Sequence, residues 1–117
     1  MTLVSLKKAF KQKADTEKAK AMGRFFKTAP GEYGYGDKFL GIPVPEIRKF
    51  AKQYQQLSLQ DIEILLQSSY NEERALGLMI LIQQFRKAKE EALKKEIFDF
   101  YVHNFIRTPL HNHPTLL

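Results

Sequence analysis

Apolar side chains recur along this chain at helical intervals, and polar ones fill the positions between them. Leu3, Leu6, Phe10 and Ala14 define one amphipathic stripe, so the spacing predicts a first helix over about 2–14. Asp15 is placed to cap a second helix over 16–27, with Ala19, Met22 and Phe26 as its apolar stripe. These two helices are expected to pack through one side and leave lysines on the other. Pro45 suits the first turn of a third helix, about 45–55, which carries Ile47, Phe50 and Tyr54. Ser58 followed by Asp61 resembles a capping box that opens a fourth helix, 59–68, with Leu59, Ile62, Leu65 and Leu66. Asn71 is expected to cap a fifth helix, 72–87. Its run ALGLMILI is apolar on nearly every side, which predicts burial on more than one face. A sixth helix, 89–105, shows Leu93, Ile97, Phe100 and Tyr101 on one stripe and Phe98, Val102 and Phe105 on a second.

Between the second and third helices lies TAPGEYGYGDKFLGIP, residues 28–43. Four glycines and two prolines rule out a stable helix there. Tyr33, Tyr35 and Phe39 are expected to pin this loop to the helices. The last residues, RTPLHNHPTLL, show no periodicity. We therefore read residues 1–105 as one helical domain and 106–117 as an irregular tail. No alternating pattern suggests a strand. The expected fold is all-α, about six helices in three antiparallel pairs, and pairs of this size stack as an α-solenoid.

Charge sharpens this picture. The chain of 117 residues has 19 Lys and Arg against 13 Asp and Glu, a net charge of +6. Residues 1–27 hold eight bases and two acids, whereas residues 28–117 hold eleven of each. The whole excess thus sits in the first quarter, where it would attract a polyanion. A solvated lysine face that keeps the protein in solution is the plainer explanation of the same residues.

Other chemistry is thin. No cysteine is present, which excludes disulfides, a thiol nucleophile and Cys-based zinc sites. The longest apolar run, Ala75 to Ile82, is far too short to span a bilayer, and the N-terminal stretch is not of the usual signal or transit type. A soluble, cytoplasmic protein is expected. Gly34-Tyr35-Gly36 would need glycine at position 39 for a dinucleotide fingerprint, and Phe39 stands there. His111 and His113 lack helical ligand spacing, and Asp99 with His103 has no nucleophile beside it, so no metal and no catalytic dyad is expected. The pairs Glu72-Glu73 and Glu90-Glu91 are read as first-turn acids that complement helix dipoles.

A longer motif goes further. FFKTAPGEYGYGDKFLGIPVPEIR, from Phe25 to Arg48, resembles the DNA alkylation repair enzyme family, the AlkD-like glycosylases built from HEAT-like repeats. Leu65 to Ala88 and Glu96 to Asn104 resemble further stretches of that family, so the likeness covers about residues 3–104. It implies a right-handed α-α superhelix of HEAT-like helix pairs whose basic concave surface tracks duplex DNA. It also implies excision of alkylated purines without a metal or an organic cofactor. The expected phosphate contacts are Lys8, Lys11, Lys20, Arg24 and Lys27 on the first two helices, with Lys38 and Arg48 helping beside the loop. Phe25 matches a family position where an aromatic ring lies near the lesion.

The likeness also has a gap. The family carries a Trp-Asp motif after the helix matching Phe98–Asn104, and this sequence has no tryptophan and no aspartate after Asp99. It resembles a truncated or frameshifted member, or an excised N-terminal module of a solenoid. No catalytic residue is carried over. A solenoid interrupted in this way would expose Phe98, Val102 and Phe105 and favour a homo-oligomer through the C-terminal helix pair. A HEAT-like protein-interaction scaffold without DNA chemistry is the alternative reading, and a remnant with no selected role is a third.

Overall fold

The computed structural model describes residues 2–25 and 37–107. Within them lie six α-helices: α1 Leu3–Lys11, α2 Thr16–Phe25, α3 Val44–Gln53, α4 Leu59–Leu66, α5 Asn71–Lys87 and α6 Glu91–Arg107. The fold is all-α. Phe26, Lys27, Tyr33, Tyr35 and the stretch 108–117, with His111 and His113, fall outside the described residues. Helix α6 continues to Arg107, two residues past its expected end at 105.

Local chemistry explains the helix ends. The Thr2 hydroxyl accepts the Ser5 N–H while the Ser5 hydroxyl accepts the Thr2 N–H, so two orphan donors of α1 are satisfied together. The Asp15 side chain accepts the Lys18 N–H at 3.0 Å and caps α2. The Ser58 hydroxyl accepts the Asp61 N–H at 3.1 Å and caps α4. Two expectations change. Helix α1 stops at Lys11, and Ala14 is exposed. Asn71 is not a cap: Tyr70 occupies that position, and the Asn71 side chain turns elsewhere.

Helix α5 is the axis of the molecule. It packs against α3, α4 and α6. Ala75, Leu76, Ile80 and Leu81 are buried, which accounts for a run that is apolar on all sides. Gly77 permits the closest approach to α4. A Cβ there would stand 3.0 Å from the Leu65 Cβ. At the other end of α5, Gln84 Nε2 donates to the carbonyls of Gln55 and Leu57 at 3.0 and 2.7 Å and ties α5 to the α3–α4 turn. Helix α1 joins this core through Leu6 and Phe10, both fully buried, with Phe10 edge-on to Phe50 of α3 at 5.2 Å.

Helix α2 behaves differently from the expected partner of α1. No residue in it is fully buried, and Ala19 and Met22 are half-buried. Its position is set by backbone. The Asp15 N–H donates to the Leu40 carbonyl at 2.8 Å. Gly41 then lies against the start of the helix at φ +84°, where a Cβ would sit 2.1 Å from the Asp15 carbonyl oxygen and 2.8 Å from the Ala19 nitrogen. Only glycine fits both the backbone angle and the space.

The first turn of α5 is the main surprise of the fold. Asn71, Glu72, Glu73 and Arg74 are all buried, so Glu72 and Glu73 do more than complement the helix dipole. The Glu72 carboxylate accepts three backbone N–H groups of the preceding loop: Leu40 at 2.9 Å, Gly41 at 2.8 Å and Ile42 at 3.1 Å. Arg74 donates to Asp37 at 2.6 Å and to the Ser68 carbonyl at 2.9 Å. Asn71 Nδ2 donates to the other Asp37 oxygen, and the Asn71 N–H to the Lys38 carbonyl. Lys38 and Tyr70 form an isolated parallel β-bridge. Residues 37–42 are thereby fastened to the start of α5 by charged groups removed from water.

Such a lock is costly to break, because the surviving partners stay buried and unpaired. Replacing Glu72 by Ala should lower unfolding free energy by about 3–5 kcal/mol, and by Gln, which keeps one accepting oxygen, by about half as much. Urea unfolding followed by circular dichroism measures both. Gly41→Ala, which must clash with backbone at positive φ, should cost about 3 kcal/mol in the same assay.

Candidate nucleic-acid interface

The described members of the expected cationic set lie on four elements. Lys8 and Lys11 occupy the last turn of α1, where their charge complements the helix C-terminus. Lys20 and Arg24 stand four residues apart on α2 and so share one face. Lys38 sits on the loop that α5 clamps, and Arg48 on α3. All six side chains are exposed, as is Phe25 at the end of α2.

The acids nearest this region are mostly engaged. Asp37 is held by Arg74 and Asn71, and Glu72 by three amides. Glu73 accepts the Ser68 hydroxyl and faces Lys7 Nζ at 3.7 Å. On the surface, Glu46 stands between Lys13 at 3.8 Å and Lys49 at 3.6 Å. Lys20 lies 3.9 Å from Glu17, but both are well exposed, so the pair is weak and easily exchanged. Among the described residues, no carboxylate lies within ion-pair distance of Lys8, Lys11, Arg24, Lys38 or Arg48.

Two of the expected cations adjoin, one by its side chain and one by its backbone, a residue that apolar periodicity does not mark. Lys11 Nζ lies 5.8 Å from the centre of the Tyr70 ring, and Tyr70 is the bridge partner of Lys38. Tyr70 joins no stripe of its own, so periodicity does not mark it. The buried run 71–74 did leave a signal. A helix that is apolar all round is buried from its first turn, and charges in that turn must then find partners.

At the far end of the molecule, α5 and α6 border an apolar groove of about 410 Å³ that includes Leu78, Ile82, Phe85, Phe98 and Tyr101. Phe98 is 57% exposed and Phe105 47%. Leu93 belongs to the expected inner stripe, yet it too is exposed. Asp99, weighed earlier as a partner for His103, takes a hydrogen bond from Lys95 at 2.7 Å. That bond holds the Lys95 ammonium above its usual pKa. Among the described residues, no group of three His, Asp or Glu side chains is placed to hold a metal ion, and no helix is long and apolar enough to cross a membrane.

Comparison with known proteins gives one match. Residues 6–109 fit the sequence model of the DNA alkylation repair enzyme family. No curated protein and no solved structure matches the chain. The family match takes in Asp37, the 71–74 run that locks it, and every described cation of the exposed set. On that extent of agreement, the chain belongs to the DNA alkylation repair enzyme family.

Proposed function

We propose that this protein binds duplex DNA through its phosphates, using the exposed cations of α1, α2, the 37–42 loop and α3, and that by itself it does not release alkylated bases. The observation that carries the reading is the division of charge. Asp37, Glu72 and Glu73 are turned inward and engaged with partners, while Lys8, Lys11, Arg24, Lys38 and Arg48 face solvent with no carboxylate at ion-pair distance among the described residues. A surface built this way is positive where a polyanion approaches. Family membership supports DNA as that polyanion. The HEAT-like superhelix belongs to the same reading, as do Lys20, Lys27 and Phe25 as further contacts. Directly after the stretch Phe98–Asn104, where the resembled family carries its Trp-Asp motif, this sequence reads FIRTPL, which supports binding without base release.

A second reading draws on a different face. Phe85, Phe98, Val102 and Phe105 are exposed, and such clustering of large apolar side chains suits protein contact. In that reading the helices act as an interaction scaffold, and the simplest partner is a second copy.

Duplex affinity across a salt series tests the leading reading. Log K should fall with log [salt] by about 0.9 for each phosphate contacted. Lys20→Glu with Arg24→Glu should weaken binding to all duplex sequences alike, and incubation with methylated DNA should release no base. Binding that ignores salt would sink the assignment, and base release would show that another group performs the chemistry. For the second face, light scattering should give a mass above 13.6 kDa that returns to the monomer value in Phe98→Lys. A wild-type chain that stays monomeric at all concentrations would contradict it.

A further inference from the structure

We infer that Lys11, Tyr70 and Lys38 form a single clamp for one backbone phosphate and its deoxyribose, with the Tyr70 ring as its floor. The inference rests on the duplex-binding reading and names where on the cationic surface the backbone is gripped.

Lys7 and Lys11 are one helical turn apart, so they project from the same side of α1 toward the start of α5. Their partners differ in kind. Lys7 meets Glu73, a buried carboxylate that neutralises it. Lys11 meets the ring of Tyr70, 5.8 Å from its centre. An aromatic face attracts an ammonium through its quadrupole and carries no net charge. Lys11 is therefore held in place while its full positive charge stays available to an anion. A side chain that is already ordered loses less rotamer freedom when it binds.

Lys38 reaches the same spot by another route. It is the parallel bridge partner of Tyr70, and residues paired in this way set their side chains on the same side of the two-strand ribbon. Its backbone cannot drift. The Lys38 N–H donates to Asp37 Oδ1 at 3.0 Å, and its carbonyl accepts the Asn71 N–H at 2.8 Å. Asp37 is held in turn by Arg74 at 2.6 Å. The three acids closest in sequence to the clamp, Asp37, Glu72 and Glu73, are all engaged with partners of their own. What remains facing outward is the Lys11 ammonium beside a half-buried neutral ring, and the exposed lysine that is that ring's bridge partner. Two cations from separate elements suit the two non-bridging oxygens of a phosphodiester, and the ring offers an apolar platform for the neighbouring sugar.

Tyr70 also explains why the site needs the buried lock. As the residue just before α5, it adopts extended backbone, φ −92° and ψ 127°, which is what permits the bridge to Lys38. The same bridge fixes the distance between lysines that are 27 positions apart in the chain.

The experiment is a double-mutant cycle on duplex affinity, read across a salt series. Lys11→Gln and Lys38→Gln should each weaken binding while the slope of log K against log [salt] changes by less than about 0.9, because the other ammonium still meets the phosphate, and the two changes together should reduce its steepness by about 0.9. Tyr70→Leu should weaken binding about two- to five-fold with the salt slope unchanged, because the number of cations is the same. Tyr70→Phe keeps the ring and should bind like the wild type, which separates loss of the platform from loss of fold. In the Lys11→Gln/Tyr70→Leu double variant the losses should be less than additive, whereas Lys20→Gln with Tyr70→Leu should add. Additive losses for Lys11 and Tyr70, or a salt slope untouched when Lys11→Gln and Lys38→Gln are combined, would overturn the clamp and leave duplex binding intact. A wild-type chain with no salt-dependent duplex affinity would instead overturn the reading on which the clamp rests.

Discussion

One carboxylate organises this molecule. Glu72, buried at the start of the most enclosed helix, accepts three successive backbone N–H groups from residues 40–42. Those amides would otherwise be orphaned in a buried turn, and the carboxylate would otherwise be a bare charge in the core. Each makes the other tolerable. With Arg74 and Asn71 holding Asp37 a few residues earlier, the loop from 37 to 42 becomes as fixed as the helix it rests on. Gly41, inside that loop, then supplies the only surface on which the first turn of α2 can lie so close.

This arrangement links fold to function through charge. A helix with acids at its N-terminus is common, and the acids usually face water. Here they face inward and are met by amides, a hydroxyl and the Lys7 ammonium. The cations of α1, the loop and α3 are left on the outside. The lysine-rich face is therefore more than a consequence of composition: it depends on which way the acids of α5 turn.

Much of this was legible in the residue pattern, and the exceptions share a cause. Helices α1 to α4 and α6 follow from 3.6-residue spacing and α5 from its apolar run, and Asp15 and Ser58 cap as their positions predict. Apolar periodicity reports which face is buried, so it found Leu6, Phe10, Ile62 and Ile80. It is silent on buried polar residues, and for that reason it misread Asn71 as a cap and Glu72 and Glu73 as surface acids. It also paired α1 with α2, because adjacent helices with facing stripes usually pack. The core instead takes α1 against α3 and positions α2 by backbone contact at Gly41. The candidate interface was half legible. Counting charges located the basic quarter, but the meeting of Lys11 with Lys38 at Tyr70 depends on a bridge between residues 32 apart, which no local pattern encodes.

The buried lock underlies both the packing of the loop and the outward charge, and native-state hydrogen exchange tests it most directly. The amides of Leu40, Gly41 and Ile42 belong to a segment without helix or ladder bonds, yet they should exchange as slowly as the core amides of α5, opening only with global unfolding. Exchange at the rate of an open loop would show that Glu72 does not hold them and would contradict the account at its base.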